Sequence, residues 1–368
     1  MAEASPKKRT RRNRAFAVGL VVVSAFYCVA IFADFLAPYD YREQTRQEPS
    51  APPSTIRFRD NEGAWHFRPF IYPQKLADAR NLRYDEDMTR IYPLTLFVRG
   101  NPYSFLGIFR TDIHLFGVSS RVPTSVGSST TEEPTEVGTL NAPRLRLLGT
   151  DQLGRDRFSR LLYAIRFSLL VSPIGTILAC IIGIFFGAVS GYANRTVDAV
   201  MMGIADTMIS LPTLILILAA RAAFPLELPP FTAAVLLILI FAVTGWAEMA
   251  RLTRGLVLST RQREYVLAAR AIGLTETRIL WRHILPNIAS PLLVQATLML
   301  PVFLLAEIAL SFLGVGLQEP EPSLGNMLSS ASDLSLLRNS PFVLLSPAIA
   351  IFLFVFGIRL LGWRREKK

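Results

Sequence analysis

Three carboxylates, Asp206, Glu248 and Glu307, stand in or at the ends of long apolar stretches of this chain. A carboxylate at membrane depth is costly, and it faces a bundle interior or a water-filled path. Such a group can touch a polar solute or pair with an arginine, and the sequence leaves both roles open. A further acidic pattern, D-x-x-G-x-D from Asp151 to Asp156, resembles a cation loop on the page. Its oxygen ligands are too few for calcium and the EF-hand pattern is absent. Asp151, Asp156, Arg155 and Arg160 are therefore expected to make caps and ion pairs at a membrane surface. His66, His114 and His283 have no i, i+4 partner, so no metal site is expected. Cys28 and Cys180 lie in apolar stretches and read as small core residues rather than a disulfide. There is no G-x-x-x-x-G-K-[ST] loop to cradle phosphates. There is also no Ser–His–Asp, His-Glu-x-x-His or G-x-S-x-G arrangement. The expectation is a protein that is no enzyme and holds no cofactor, so that any ATP and Mg must be bound by a second polypeptide.

The elements that position these groups follow from the distribution of apolar residues. Of 368 residues, 51% are hydrophobic, and they are gathered in blocks of roughly 20, the length a bilayer core requires. The formal charge of +11 is placed at the flanks of those blocks. Lys7, Lys8, Arg9, Arg11, Arg12 and Arg14 precede the first, residues 251–282 carry another basic group, and Arg364, Arg365, Lys367 and Lys368 follow the last. Basic residues there obey the positive-inside rule, and without interleaved stacking aromatics they give no reason to expect nucleic acid.

Six spans are expected, at 15–37, 167–192, 197–222, 230–250, 288–313 and 341–361, with basic tails at 1–14 and 362–368 and both termini in the cytoplasm. The first is too long for a signal-peptide core and reads as an uncleaved span. In the second, Gly175, Ala179, Gly183, Gly187 and Gly191 recur every four residues. Such a small-residue ladder lets helix backbones pack closely in lipid, where no hydrophobic drive joins helices. The insertion at 38–146 is polar and rich in proline and aromatics. Within it, TIRFRDNEGAWHFRPFIYP predicts a hairpin turning at Asp60-Asn61-Glu62-Gly63, and residues 119–143 predict a linker.

Between spans four and five lies EYVLAARAIGLTETRILWRHILPN, Glu264 to Asn287, within a cytoplasmic segment at 257–287. Ala268 and Ala269 would let a partner's backbone come close. Gly273 falls at the C′ position, where glycine takes the left-handed conformation at little cost. Thr275 can cap a second helix with Glu276 in its first turn, and Pro286 is expected just past the end of that helix.

Ala-Ala, three residues, Gly, nine residues and then HILPN resembles the E-A-A loop of bacterial ABC importer permeases, and E-Y-x-x-A-A-R-A-x-G looks like the dipeptide and oligopeptide branch. Leu267 stands where that family usually has glutamate. The stretch L-G-T-D-x-x-G-R-D-x-x-S-R-x-x-Y before span two also resembles the family, as does SFLGVGLQEPEPSLGNML after span five, where Glu319, Glu321 and Leu324 differ from the usual Pro, Thr and Trp. Asp206 and Glu307 stand where the family often has acids. A G-D-x-L-R-D-type tail is not found in residues 362–368. The likeness covers about 147–361 and the first span.

The resemblance implies the all-α, six-span type I importer permease fold in a bacterial inner membrane, interrupted by a large external insertion. It implies a transport subunit carrying di- or oligopeptides inward, in contact with lipid, a homologous second permease, cytosolic ABC ATPases and an external substrate-binding protein. The insertion is a candidate contact for that binding protein. Glu264, Tyr265, Ala268, Ala269, Gly273, Thr275, Arg278, His283 and Pro286 would couple to the ATPase, and Asp206, Glu248 and Glu307 are pathway candidates. Nickel chelates or another small solute remain alternative cargoes. An ATP-independent secondary transporter remains an alternative mechanism, although the sequence shows no inverted repeat and no paired broken helices.

Overall fold

The computed structural model describes residues 6–80, 82–105, 107–118, 143–330 and 341–362. Of the linker expected at 119–143, residues 119–142 lie outside the described residues. The chain divides into two compact units, one of Met1–Ala25, Phe167–Gln318 and Ala350–Lys368, the other of Phe26–Arg166 and Glu319–Ile349.

The first unit is helical. Its elements come from α1 (Pro6–Ile31), α3 (Arg157–Tyr192), α4 (Arg195–Ser210), α5 (Thr213–Ala222), α6 (Pro230–Thr260), α7 (Glu264–Ala271), α8 (Glu276–Ile279), α9 (Leu285–Phe312) and α11 (Pro341–Gly362). Five described helices are long and apolar enough to cross a membrane, and a sixth span is reached if the bent pair α4 and α5 counts as one. The third expected span, at 197–222, is thus two helices rather than one. The two helices meet at 92° because Pro212 cannot continue the helix and forces Leu211 into extended backbone, with φ −90° and ψ 138°.

The glycine ladder on α3 packs against α6. A Cβ at Gly175 would lie 2.9 Å from the Phe241 Cβ, one at Gly183 would lie 2.6 Å from the Met249 Cβ, and one at Gly191 would lie 2.8 Å from Val257. At Gly187 it would overlap the Ala250 carbonyl. Removing the side chains thus brings two backbones into contact, the packing that helices in lipid use. Gly19 of α1 meets Gly357 of α11 in the same manner. Ion pairs add to the packing of α4 on α6: Arg254 donates from Nε and Nη2 to the two Asp198 oxygens at 2.5 Å each, a bidentate geometry.

The second unit begins near the C-terminal end of α1, at Phe26, and α2 (Ala33–Leu36) follows. Arg166 of α3 donates to both oxygens of Asp34 at 2.9 and 2.8 Å. The same guanidinium donates to the carbonyls of Ala30 and Ile31 at 2.7 and 3.1 Å. It thereby satisfies orphan acceptors at a helix C-terminus, where a cation also suits the dipole.

The insertion is β structure, which the all-α expectation for the membrane part did not include. An antiparallel sheet has the order β1 (Arg57–Arg59), β2 (Trp65–Ile71), β5 (Tyr92–Phe105), β6 (Phe109–Val118), and β3 (Gln74–Asp78) pairs with β4 (Arg83–Glu86) as a ribbon. The β1–β2 hairpin turns where expected: Gly63 has φ +87°, and Asp60 Oδ1 accepts from the backbone N–H of Glu62 and Ala64 at 3.0 and 2.8 Å.

The charged residues at the start of α3 form a cap and ion pairs, as expected. Arg155 donates to Asp151 at 2.7 Å and to Glu319 at 2.6 Å, and Arg160 donates to Glu319 at 2.8 Å. Asp156 accepts from the N–H and the hydroxyl of Ser159, both at 2.7 Å, as an N-cap. Burial pushes the Asp156 carboxyl up to about 6. A raised folded-state value stabilises the fold at low pH, and that contribution is lost as pH rises through about 6. Glu319 and Glu321, the two acids that depart from the family pattern, are both in use. Glu321 accepts from Tyr41 at 2.7 Å and pairs with Arg42. Then α10 (Leu324–Ser329) starts from a Ser323–Asn326 capping box.

The ladder makes a direct prediction. Gly183→Val and Gly187→Val should each destabilise the protein by upwards of about 2 kcal/mol through overpacking against backbone, read as lost thermal stability in detergent. A Cβ at Gly203 would meet no atom within 4 Å, so Gly203→Ala should melt at or above the wild-type temperature.

Candidate functional site

The segment after α6 is a helix–turn–helix. Residues on the first limb bond in the pattern of a Schellman cap, with Leu274 N–H donating to the Ala269 carbonyl at 3.2 Å and Gly273 N–H to Arg270 at 3.0 Å. Gly273 has φ +83°, the left-handed conformation expected of it. The turn is locked outside by Arg270, which donates from Nε to Glu276 at 2.5 Å and from Nη2 at 3.0 Å.

Three expectations for this segment need correction. Thr275 occupies the N-cap position, but its side chain makes no capping bond; only its carbonyl serves, accepting from Ile279 N–H at 2.9 Å. Pro286 does not end the second helix. The chain stays helical from Glu276 to Phe312, because a π turn at Leu280–Ile284 absorbs the missing N–H just before α9. The side-chain amide of Asn287 donates to the His283 carbonyl at 2.6 Å, covering an acceptor near the proline. Ala269 is buried, not presented to a partner.

The segment has two faces. Val266, Ala269, Ile279 and Ile284 are buried in the same apolar cluster as Val257 of α6 and Ile288 and Leu292 of α9. The buried positions of α7 are spaced i, i+3, as one helix face requires. The opposite face carries Glu264, Tyr265, Leu267 and Ala268, followed by Ile272, Arg278, Trp281 and Pro286, all exposed, with His283 half-buried. Ile272 and Trp281 are 77% and 67% exposed, large apolar side chains uncovered around the turn. Sequence reading singled out neither. Their signal was present in an apolar residue beside the C′ glycine and an aromatic in the stretch just after α8. Arg261 donates to the Gly191 carbonyl at 2.7 Å, so the ends of α6 and α3 are joined next to this segment.

The three acids occupy separate surroundings. Asp206 is exposed and pairs with Arg251 at 3.1 Å. Glu248 is exposed, with the Gln295 amide 3.4 Å away. Glu307 alone is enclosed, at 0% exposure; it accepts from the hydroxyls of Ser168 at 2.7 Å and Ser311 at 3.1 Å. Ser311 Oγ in turn accepts from Leu317 N–H at 3.3 Å. Arg251, Arg254 and Ser168 were not expected as partners, since sequence gives no register between α4, α6 and α3. No cluster of three or more metal-binding side chains occurs among the described residues.

Residues 183–362 match the family of the binding-protein-dependent transport system inner membrane component, and residues 7–53 match the N-terminal TM domain of oligopeptide transport permease C. The oligopeptide transport system permease protein OppC of Bacillus subtilis (strain 168) is 36% identical over 214 residues, covering 58% of this chain and 68% of the relative. The chain belongs to the binding-protein-dependent transport permease family. A second relative, the di/tripeptide transport system permease protein DppC of Pseudomonas aeruginosa (strain UCBPP-PA14), is 37% identical over 59% of this chain and 69% of its own. Among solved structures, the MetNI methionine ABC transporter in inward-facing conformations aligns with a TM-score of 0.44 and 19% identity, over 56% of this chain and 94% of that one. As a family member the chain is a multi-pass membrane protein and the permease subunit of an ABC importer, with the family's helical fold in its membrane part. The matched residues 183–362 contain both the α7–α9 segment and the three acids.

The Ser–Glu–Ser contact generates a prediction. Glu307→Leu leaves two buried hydroxyls without their acceptor and should cost about 1–3 kcal/mol, whereas Glu307→Gln keeps an acceptor and should cost less. Equal melting of the Leu variant and wild type in detergent would remove this contact from the account.

Proposed function

We propose that the chain carries di- or oligopeptides into the cytoplasm, driven by separate ABC ATPases that bind the exposed face of α7 to α9. The names of its relatives support the cargo. The observation that carries the coupling role is the two-faced segment itself. Its inner face belongs to the same buried cluster as α6 and α9, while its outer face, with Ala268, Tyr265, Leu267, Ile272 and Trp281 beside Glu264 and Arg278, is exposed. Close-packed interiors transmit displacement rather than absorb it. A partner that shifts α7 therefore moves Val266 and Ala269 against Val257, and with them the ends of the two spans.

In this reading Ala268 is the close-approach residue, and Tyr265, Leu267, Ile272 and Trp281 surround it as apolar contacts. Glu264, Arg278, His283 and Pro286 lie on or beside the same surface, whereas Gly273 shapes the turn, Thr275 starts α8 and Ala269 works from within. ATP and Mg belong to the partner, and a ligand-dependent change of ATPase spacing selects between two arrangements of the spans. A homologous second permease would cover the exposed side of α4 and α6, where Asp206 and Glu248 are uncovered. Those acids are then pathway or subunit-contact residues, and Glu307 is structural. The segment and the basic tails lie in the cytoplasm, and an external binding protein delivers the peptide.

Uptake of labelled peptide by cells expressing the complex tests this. Ala268→Trp should reduce ATP-dependent uptake at least tenfold with normal membrane abundance, since residue 268 faces outward. Gly273→Pro should do the same by breaking the turn, whereas Thr275→Ala should transport normally because no cap bond is lost. Normal uptake by Ala268→Trp would overturn the coupling assignment, and uptake that persists without any ATPase would favour a secondary transporter.

A further inference from the structure

The β5–β6 hairpin ends in Phe105, Gly107, Ile108 and Phe109, and Phe105 and Phe109 are cross-strand partners at its last rung. Gly107, at φ +74°, makes the turn. Ile108 and Phe109 are 72% and 69% exposed, and Arg110 beside them is exposed with no ion pair among the described residues.

Two contacts fix where this tip lies. The Phe105 ring is 5.6 Å from the ring of Phe32, and Phe97, further back on β5, is 6.2 Å from Phe35. Phe32 directly follows α1, whose apolar window Arg14–Ile31 is only 11% buried within the chain. Ile31 and Phe32 are themselves exposed, as lipid-facing residues at the end of a span are. Phe109, opposite Phe105 on the last rung, is thus one cross-strand step from a residue that touches the end of the span. The hairpin's apolar tip is adjacent to the exposed Ile31–Phe32 end of α1. The β1–β2 turn itself differs, reading Asp60-Asn61-Glu62-Gly63, although Trp65 and Phe67 on the following strand are also exposed.

We propose that the β5–β6 tip docks on the lipid bilayer, in the leaflet at the Ile31 end of α1, with Ile108 and Phe109 in the interfacial layer and Arg110 on lipid phosphate. Aromatic and apolar side chains flanked by a basic residue suit that layer. The docking fixes the insertion against the membrane at a second point besides α1 itself. It holds whichever solute is carried and whichever side that leaflet faces.

A spin label on Phe109→Cys tests it, in a full chain with Cys28→Ala and Cys180→Ala, assembled with its partners in phosphatidylglycerol-containing liposomes. Collision rates with oxygen, which partitions into lipid, and with a water-soluble nickel chelate are compared, with Glu62→Cys as the aqueous reference. Lipid docking predicts an oxygen-to-nickel ratio above one at position 109 and below one at position 62. A ratio below one at both positions would overturn the proposal by placing the tip in water. Protection from both reagents at position 109 would overturn it equally, by placing the tip against protein.

Discussion

Backbone contact between α3 and α6 is the constraint on which the helical unit depends. Lipid offers helices no hydrophobic reason to associate, so the bundle relies on close packing and on satisfied polar groups. The ladder from Gly175 to Gly191 supplies the packing along the facing side of α6. Its last member meets Val257, which shares a buried cluster with Val266 and Ala269 of α7. The same contact that holds the two long helices together therefore ends at the candidate coupling segment.

Several charged groups in and near the membrane are paired locally. Arg166 neutralises Asp34 and also takes up the carbonyls that end α1. Asp198 and Asp206 of α4 find Arg254 and Arg251 of α6. Glu307 is held by two hydroxyls, with no ion pair among the described residues, which separates it chemically from Asp198 and Asp206. The acids at 319 and 321 answer arginines at 155, 160 and 42, so a departure from the family's usual residues is matched by charges elsewhere in this chain.

Much of this was legible in the residues. Apolar blocks gave the spans, four-residue spacing gave the helix contact, and the Gly273 position gave the C′ turn. What escaped depended on geometry between elements or on local alternatives. Pro286 reads as a stop in one dimension, yet a π turn carries the helix past it. Pro212 reads as one proline in an apolar span, yet it bends the chain by a right angle because Leu211 must be extended. Ala268 and Ala269 are indistinguishable as letters, and only the helix phase set by Val266 shows that the second points inward. The β architecture of the insertion was visible at one hairpin alone, where turn chemistry was strong, and not at β3 to β6.

The account stands most directly on what touches Ala268. A photoreactive benzoylphenylalanine at that position, activated in intact membranes and followed by mass spectrometry of the adduct, identifies the partner. The account predicts a single dominant adduct to a cytosolic ABC ATPase, lost when the same amino acid is placed at the buried position 269. Absence of an ATPase adduct at 268, with the chain properly inserted, would contradict the coupling role of the segment.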